Sequence, residues 1–179
     1  MSPTVLVIGV GNASRGDDAA GLEVARRIAD VGPRPGIKVL SHGGDGVALL
    51  DLWDGADAVV IIDSMRSGAA PGTIHRIDAS STPVAVPLGE ASTHALGVAE
   101  AIELARALDT LPPTVVVYGV EGANYEIGSS PGESVASAID LAASAVHCEA
   151  LDLLARLTAG GGSRRVAAYC WRRLGDEYL

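Results

Sequence analysis

The sequence predicts an α/β fold of three layers, with a mostly parallel central sheet of about five strands and helices on both faces. Three observations lead there. Val5 to Val10, Ala58 to Asp63 and Thr114 to Val120 are continuous runs rich in Val and Ile, the mark of strands buried on both faces. Segments of helical periodicity separate them. Hydrophobic residues make up 48% of the chain while aromatics are only 3% and Phe is absent, so the core must be built from Ala, Val, Leu and Ile. That composition suits closely layered packing.

In chain order, Val5 to Val10 opens the sheet and runs into a glycine turn that ends at Asp17 and Asp18. The following GLEVARRIADV places Leu22, Val24, Ala25 and Ile28 at helical spacing, with one of the two aspartates expected as its cap. Lys38 to Leu40 reads as a short strand, and Val47 to Leu52 as a short helix entered through the turn His42 to Gly46. Ala58 to Asp63 again closes on a carboxylate. Thr73 to Asp78 alternates as an edge strand does, and an antiparallel partner is expected. Ala79 to Ala91 reads as an irregular surface connection, and Thr93 to Leu108 as an amphipathic helix with His94 at its start. After Thr114 to Val120, with Glu121 directly behind it, a Gly- and Ser-rich loop leads to a long Ala-rich helix from Ser134 to Leu157. Residues 1–158 are expected to form one domain, and residues 159–179, a basic Trp-bearing tail behind a glycine triplet, an appendage.

Several function classes are excluded at this level. The net charge of −9 argues against nucleic acid or an anionic membrane as partner. The amino terminus has no secretory pattern and Val5 to Val10 is too short to span a bilayer, so a cytoplasmic protein is expected. Cys148 and Cys170 alone build neither a disulfide framework nor a Cys-based zinc site, and read as structural or incidental. A phosphate-binding GxxxxGK[ST] loop is absent. The run VLVIGVGN suggests a dinucleotide turn, but position 14 is Ser where the third glycine belongs, and two aspartates would repel a pyrophosphate.

Parallel strands would gather Asp17, Asp18, Asp63 and Glu121 on one sheet edge, where α/β proteins carry out chemistry. His94 can join them from a helix start. Asp18, Asp63 and His94 together offer two carboxylates and an imidazole, donors that suit nickel, zinc, manganese or iron and leave coordination positions open. Each also has an ordinary structural reading: Asp18 as a cap, Asp63 as a turn former before Ser64, His94 as a first-turn histidine. His42, His75 and His147 have weaker local reasons for function.

GVGNASRGDDAAG, IIDSMRSGAAPGTI and STHALGVAEAIELA together resemble the hydrogenase maturation proteases, over about Thr4 to Glu121. The resemblance implies a twisted α/β sandwich and an endopeptidase that removes a carboxyl-terminal peptide from the nickel-loaded precursor of a [NiFe]-hydrogenase large subunit. It implies that Asp18, Asp63 and His94 recognise the nickel and carry the catalysis, the metal being supplied by the precursor rather than held as a resident cofactor. A monomer is expected, since the enzyme must embrace a large partner. The sequence departs from the family at Ala19, where a glycine is usual, and at HGGDG, where the family's acid maps onto Asp45 without a fixed register. A non-proteolytic assembly factor binding the same precursor through the same residues is the alternative.

Overall fold

The computed structural model describes residues 2–81, 83–84 and 97–159. Five strands form one sheet in the order β2-β1-β3-β5-β4: β1 Val5–Val10, β2 Ile37–His42, β3 Ala58–Met65, β4 Ile74–Asp78 and β5 Val115–Glu121. The first three and β5 run parallel, and β4 pairs antiparallel with β5 at the edge. The edge strand read from the alternation of TIHRID is therefore found. Four α-helices accompany the sheet among the described residues: α1 Ala20–Asp30, α2 Gly46–Leu52, α3 Val98–Ala107 and α4 Glu133–Thr158.

Alternation along the strands assigns each helix to a face. Val5 and Val7 of β1, Val60 and Ile62 of β3, and Val116, Tyr118 and Val120 of β5 pack with Val24 and Ile28 of α1 and with Ala138, Ala142 and Val146 of α4. Leu6, Ile8, Val59, Ile61, Val115 and Val117 point the other way, against Leu49 of α2, the adjoining Trp53, and Ala101, Ile102 and Ala105 of α3. Two apolar clusters sandwich one sheet, which gives the three expected layers. The small residues of α4 serve this packing, because alanine lets a long helix lie close to the sheet without displacing its side chains.

The helix expected from Thr93 is seen from Val98 onward; His94 lies outside the described residues. So does the expected tail beyond Ala159, and most of the connection before α3. Cys148 on α4 is disulfide-bonded, so it is not the incidental residue its isolation suggested; Cys170 lies outside the described residues.

The tightest joint in the fold lies between the start of α1 and the carboxyl ends of β1 and β3. A Cβ on Gly21 would overlap the carbonyl oxygens of Ile62 and Val10, and one on Gly9 would overlap the Gly21 carbonyl and the Ala25 methyl. Ala at position 21 would gain about 1 kcal/mol of helix propensity, yet overpacking against rigid backbone costs roughly 3 kcal/mol. Gly21→Ala is therefore expected to lower stability by about 2 kcal/mol in urea denaturation. Gly43→Ala, whose Cβ meets nothing within 4 Å, should leave the midpoint unmoved.

Candidate active site

The chain leaves β1 toward β2 on one side and returns to β3 on the other, so the carboxyl ends of β1 and β3 border a topological switch point. Asp18 and Asp63 sit there. Asp18 belongs to a 3-10 turn, Gly16–Ala19, that joins β1 to α1. Its shape is set locally: Asn12 accepts the Ser14 amide on Oδ1 at 2.9 Å, the Asn12 amide donates to the Asp18 carbonyl at 3.2 Å, and the Asp18 amide donates to the Arg15 carbonyl at 3.1 Å. Gly11 makes the close return possible, with φ of +143° and no room for a Cβ against the Asp18 carbonyl. The G-x-G-N motif is thus a turn that folds Asp18 back over the sheet edge.

Four carboxylates were expected at this edge, and they divide into two kinds. Asp17, 1% exposed, accepts the amides of Ala123 and Asn124 at 2.8 Å and that of Gly132 at 2.7 Å. Burial pushes its pKa up, but those three N–H groups outweigh it and hold the carboxyl below its usual value. Asp17 ties the turn after β1 to the loop after β5 and to the start of α4, and it does not cap α1, whose start has no side-chain cap. Glu121 is used in the same way. It accepts the Ser67 amide and hydroxyl and the Gly68 amide at 2.8–3.0 Å, which hold its pKa low despite burial. Asp45 is a third structural acid, capping α2 through the Val47 amide at 3.0 Å.

Asp18 and Asp63 are not saturated in this way. Asp63 takes one backbone donor, the Ser64 amide at 2.8 Å, so the local turn reading holds in part. Burial first, then the charge of Asp18, push its pKa up to about 7 against the opposing pull of that amide. Asp18 accepts the Ser64 hydroxyl at 3.1 Å and has the Arg15 guanidinium at 3.9 Å. Strand alternation sends Asp63 toward the face covered by α2 and α3, whereas Asp18 arrives with α1 on the opposite face. The pair meets at the sheet edge from two sides.

Three residues of this neighbourhood carried no functional signal in the sequence. Ser64 touches both acids, Tyr125 donates its hydroxyl to the Met65 carbonyl at 3.1 Å, and the Arg66 guanidinium lies 4.1 Å from the Tyr125 ring centroid. Only the position of Ser64, next to a strand-end acid, could have suggested it. His75 lies 3.7 Å from Glu121 rather than at the acid pair, and His42 accepts the Gly44 amide at 3.2 Å. Among the described residues no group of three or more His, Cys, Asp or Glu side chains is arranged to hold a metal ion, the third expected member, His94, lying outside them. Nor, among those residues, is any helix long and apolar enough to cross a membrane.

The family model for hydrogenase maturation protease matches residues 22–149. The hydrogenase expression/formation protein HupD of Rhodobacter capsulatus is 28% identical over 140 residues, covering 77% of this chain and 67% of its own. The hydrogenase 2 maturation protease of Escherichia coli K12 is 29% identical over 131 residues, covering 71% and 79%. Among solved structures, the hydrogenase maturating endopeptidase HybD of Escherichia coli superposes with a TM-score of 0.68 at 26% identity, over 88% of this chain and 94% of that one. An endopeptidase from Escherichia coli solved in solution gives 0.72 at 25% identity, over 83% and 91%. The family model runs from within α1 to within α4, and the chain belongs to the hydrogenase maturation protease family, as one of its endopeptidases.

Proposed function

We propose that this endopeptidase removes a carboxyl-terminal peptide from the nickel-loaded precursor of a [NiFe]-hydrogenase large subunit, and that Asp18, Asp63 and His94 recognise the nickel. One observation carries the reading beyond family membership: of the acids expected at the sheet edge, Asp18 and Asp63 stand near each other and accept the fewest hydrogen bonds. A divalent cation relieves such a pair, since its charge favours the ionised form of Asp63, which burial and, second, the charge of Asp18 disfavour. His94 precedes α3 in the chain, and α3 covers the face toward which Asp63 points. Nickel held by thiolates in a precursor keeps open positions, and two carboxylate oxygens and an imidazole are donors that fit them. Docking the metal aligns the scissile bond, which turns recognition into positioning. Water is then activated at this centre by a carboxylate or by the metal.

Incubation with nickel-loaded and nickel-free precursor, followed by the mass of the large subunit, tests the reading directly. Only the loaded form should lose its terminal peptide; equal cleavage of both would sink the metal-recognition idea. Asp18→Asn and His94→Ala should stay folded, with a thermal midpoint no lower than that of the wild type, while abolishing processing. Asp17→Ala should behave in the opposite sense at low temperature, remaining active while losing about 3 kcal/mol of stability, because three buried amides lose a charged acceptor.

The acid pair also leaves a mark on stability. Between the ordinary Asp value of 3.8 and about 7, the folded state holds a proton on Asp63 that the unfolded chain has released. The contribution of this group is thus fully present below 3.8 and is lost as pH rises toward 7. Asp63→Asn removes that loss while keeping an acceptor for the Ser64 amide. Its thermal midpoint should exceed that of the wild type at pH 8, with the difference shrinking steadily toward pH 4. A constant difference across that range would show that burial and the charge of Asp18 do not raise the proton affinity of Asp63.

A further inference from the structure

We propose that Ser64 is a positioning residue that holds Asp18 and Asp63 in one converging arrangement, a role that rests on the assignment of those two acids to the site. Ser64 donates to each of them through a different group: its amide to Asp63 Oδ1 at 2.8 Å and its hydroxyl to Asp18 Oδ1 at 3.1 Å. The strand geometry makes this single-residue bridge possible. Neighbouring side chains on a strand point to opposite faces, so Ser64 points away from Asp63 and toward the side on which α1 brings in Asp18. The backbone of β3 therefore reaches one carboxylate while the side chain of the same residue reaches the other. A residue without a hydroxyl at this position keeps the first bond and loses the second.

The second bond has a competitor. The Arg15 guanidinium stands 3.9 Å from Asp18 Oδ2, too far for a hydrogen bond but within one side-chain rotation of it. With the Ser64 hydroxyl in place, Asp18 is drawn toward β3 and Asp63. Without it, repulsion from Asp63 and attraction to Arg15 act in the same direction, and Asp18 swings outward. Tyr125 closes the other side of Ser64: its hydroxyl lies against the Ser64 side chain and is anchored to the Met65 carbonyl, which limits where the serine can turn.

Ser64→Ala is expected to keep the thermal midpoint of the wild type and to lower kcat/KM on nickel-loaded precursor about 10- to 100-fold, the usual effect of removing a group that orients a metal-binding side chain. Ser64→Thr, which restores the hydroxyl in a residue well suited to a strand, should recover most of the loss. Adding Arg15→Ala to Ser64→Ala should also recover part of it, because the competing partner is gone. Ala activity within threefold of the wild type, or Thr and Ala equally impaired at equal stability, would overturn the proposal. A crystal structure of Ser64→Ala tests the same point without any substrate. Asp18 turned onto Arg15 at hydrogen-bond distance is the expected result, and Asp18 unmoved would refute the positioning role. If the wild type leaves the loaded precursor uncut while Asp18 does swing in the variant, the proposed function fails and the role of Ser64 in arranging the pair stands.

Discussion

The close approach of α1 to β1 and β3 is the constraint from which the site follows. Backbone meets backbone there with no side chain between, since Gly9 and Gly21 face each other and the carbonyls of Val10 and Ile62 occupy the space a Cβ would need. Because the helix begins so near the strands, the turn that precedes it has to fold back over the crevice between them. Asn12 and Gly11 shape that return, and the two adjacent aspartates land on opposite sides of it. Dinucleotide-binding turns need a glycine for the same helix-to-strand contact. Here Gly21 makes it from within the helix, and the turn offers carboxylates where a phosphate would otherwise sit.

Chemical type does not separate the acids of this edge; their surroundings do. Asp17 and Glu121 each collect at least three donors, and the electrostatic result is a stable anion that binds loops together. Asp63 receives one amide and faces another carboxylate, and burial first, then that charge, raise its proton affinity. Frame and candidate site are thus made from the same residue types, distinguished by how much hydrogen-bond capacity is left over.

Much of the architecture was legible because it rests on local patterns. Continuous apolar runs mark the buried strands, alternation in Thr73 to Asp78 the antiparallel edge, helical spacing α1 and α3, and alanine richness α4. Asp18 and Asp63 were also legible as strand-end acids. The division of labour between Asp17 and Asp18 was not, because the partners that claim Asp17 lie 106 to 115 residues away and no local rule ranks one neighbour over the other. Ser64 was passed over for a related reason. A serine after a strand-end aspartate is ordinary until the turn carrying Asp18 is folded against it. The extension of β3 through Ser64 to Met65 has the same origin, since it depends on pairing of Ser64 with Val120 and Met65 with Glu121 rather than on the apolar run, which stops at Ile62.

On the outer strand β4, Arg76 turns inward and grips Glu149 of α4 through two hydrogen bonds at 2.7 and 2.9 Å, while buried Tyr118 donates to the same carboxylate at 3.0 Å. A strand that borders a sheet exposes a row of unused amides and carbonyls, to which another chain can attach. Among the described residues nothing pairs with the outer side of β4, and a strand attaching there would meet, beside Ile74, an ion pair already engaged with the protein's long helix. The Arg76–Glu149 pair thereby keeps one face of that border polar and discourages an apolar partner from docking on it.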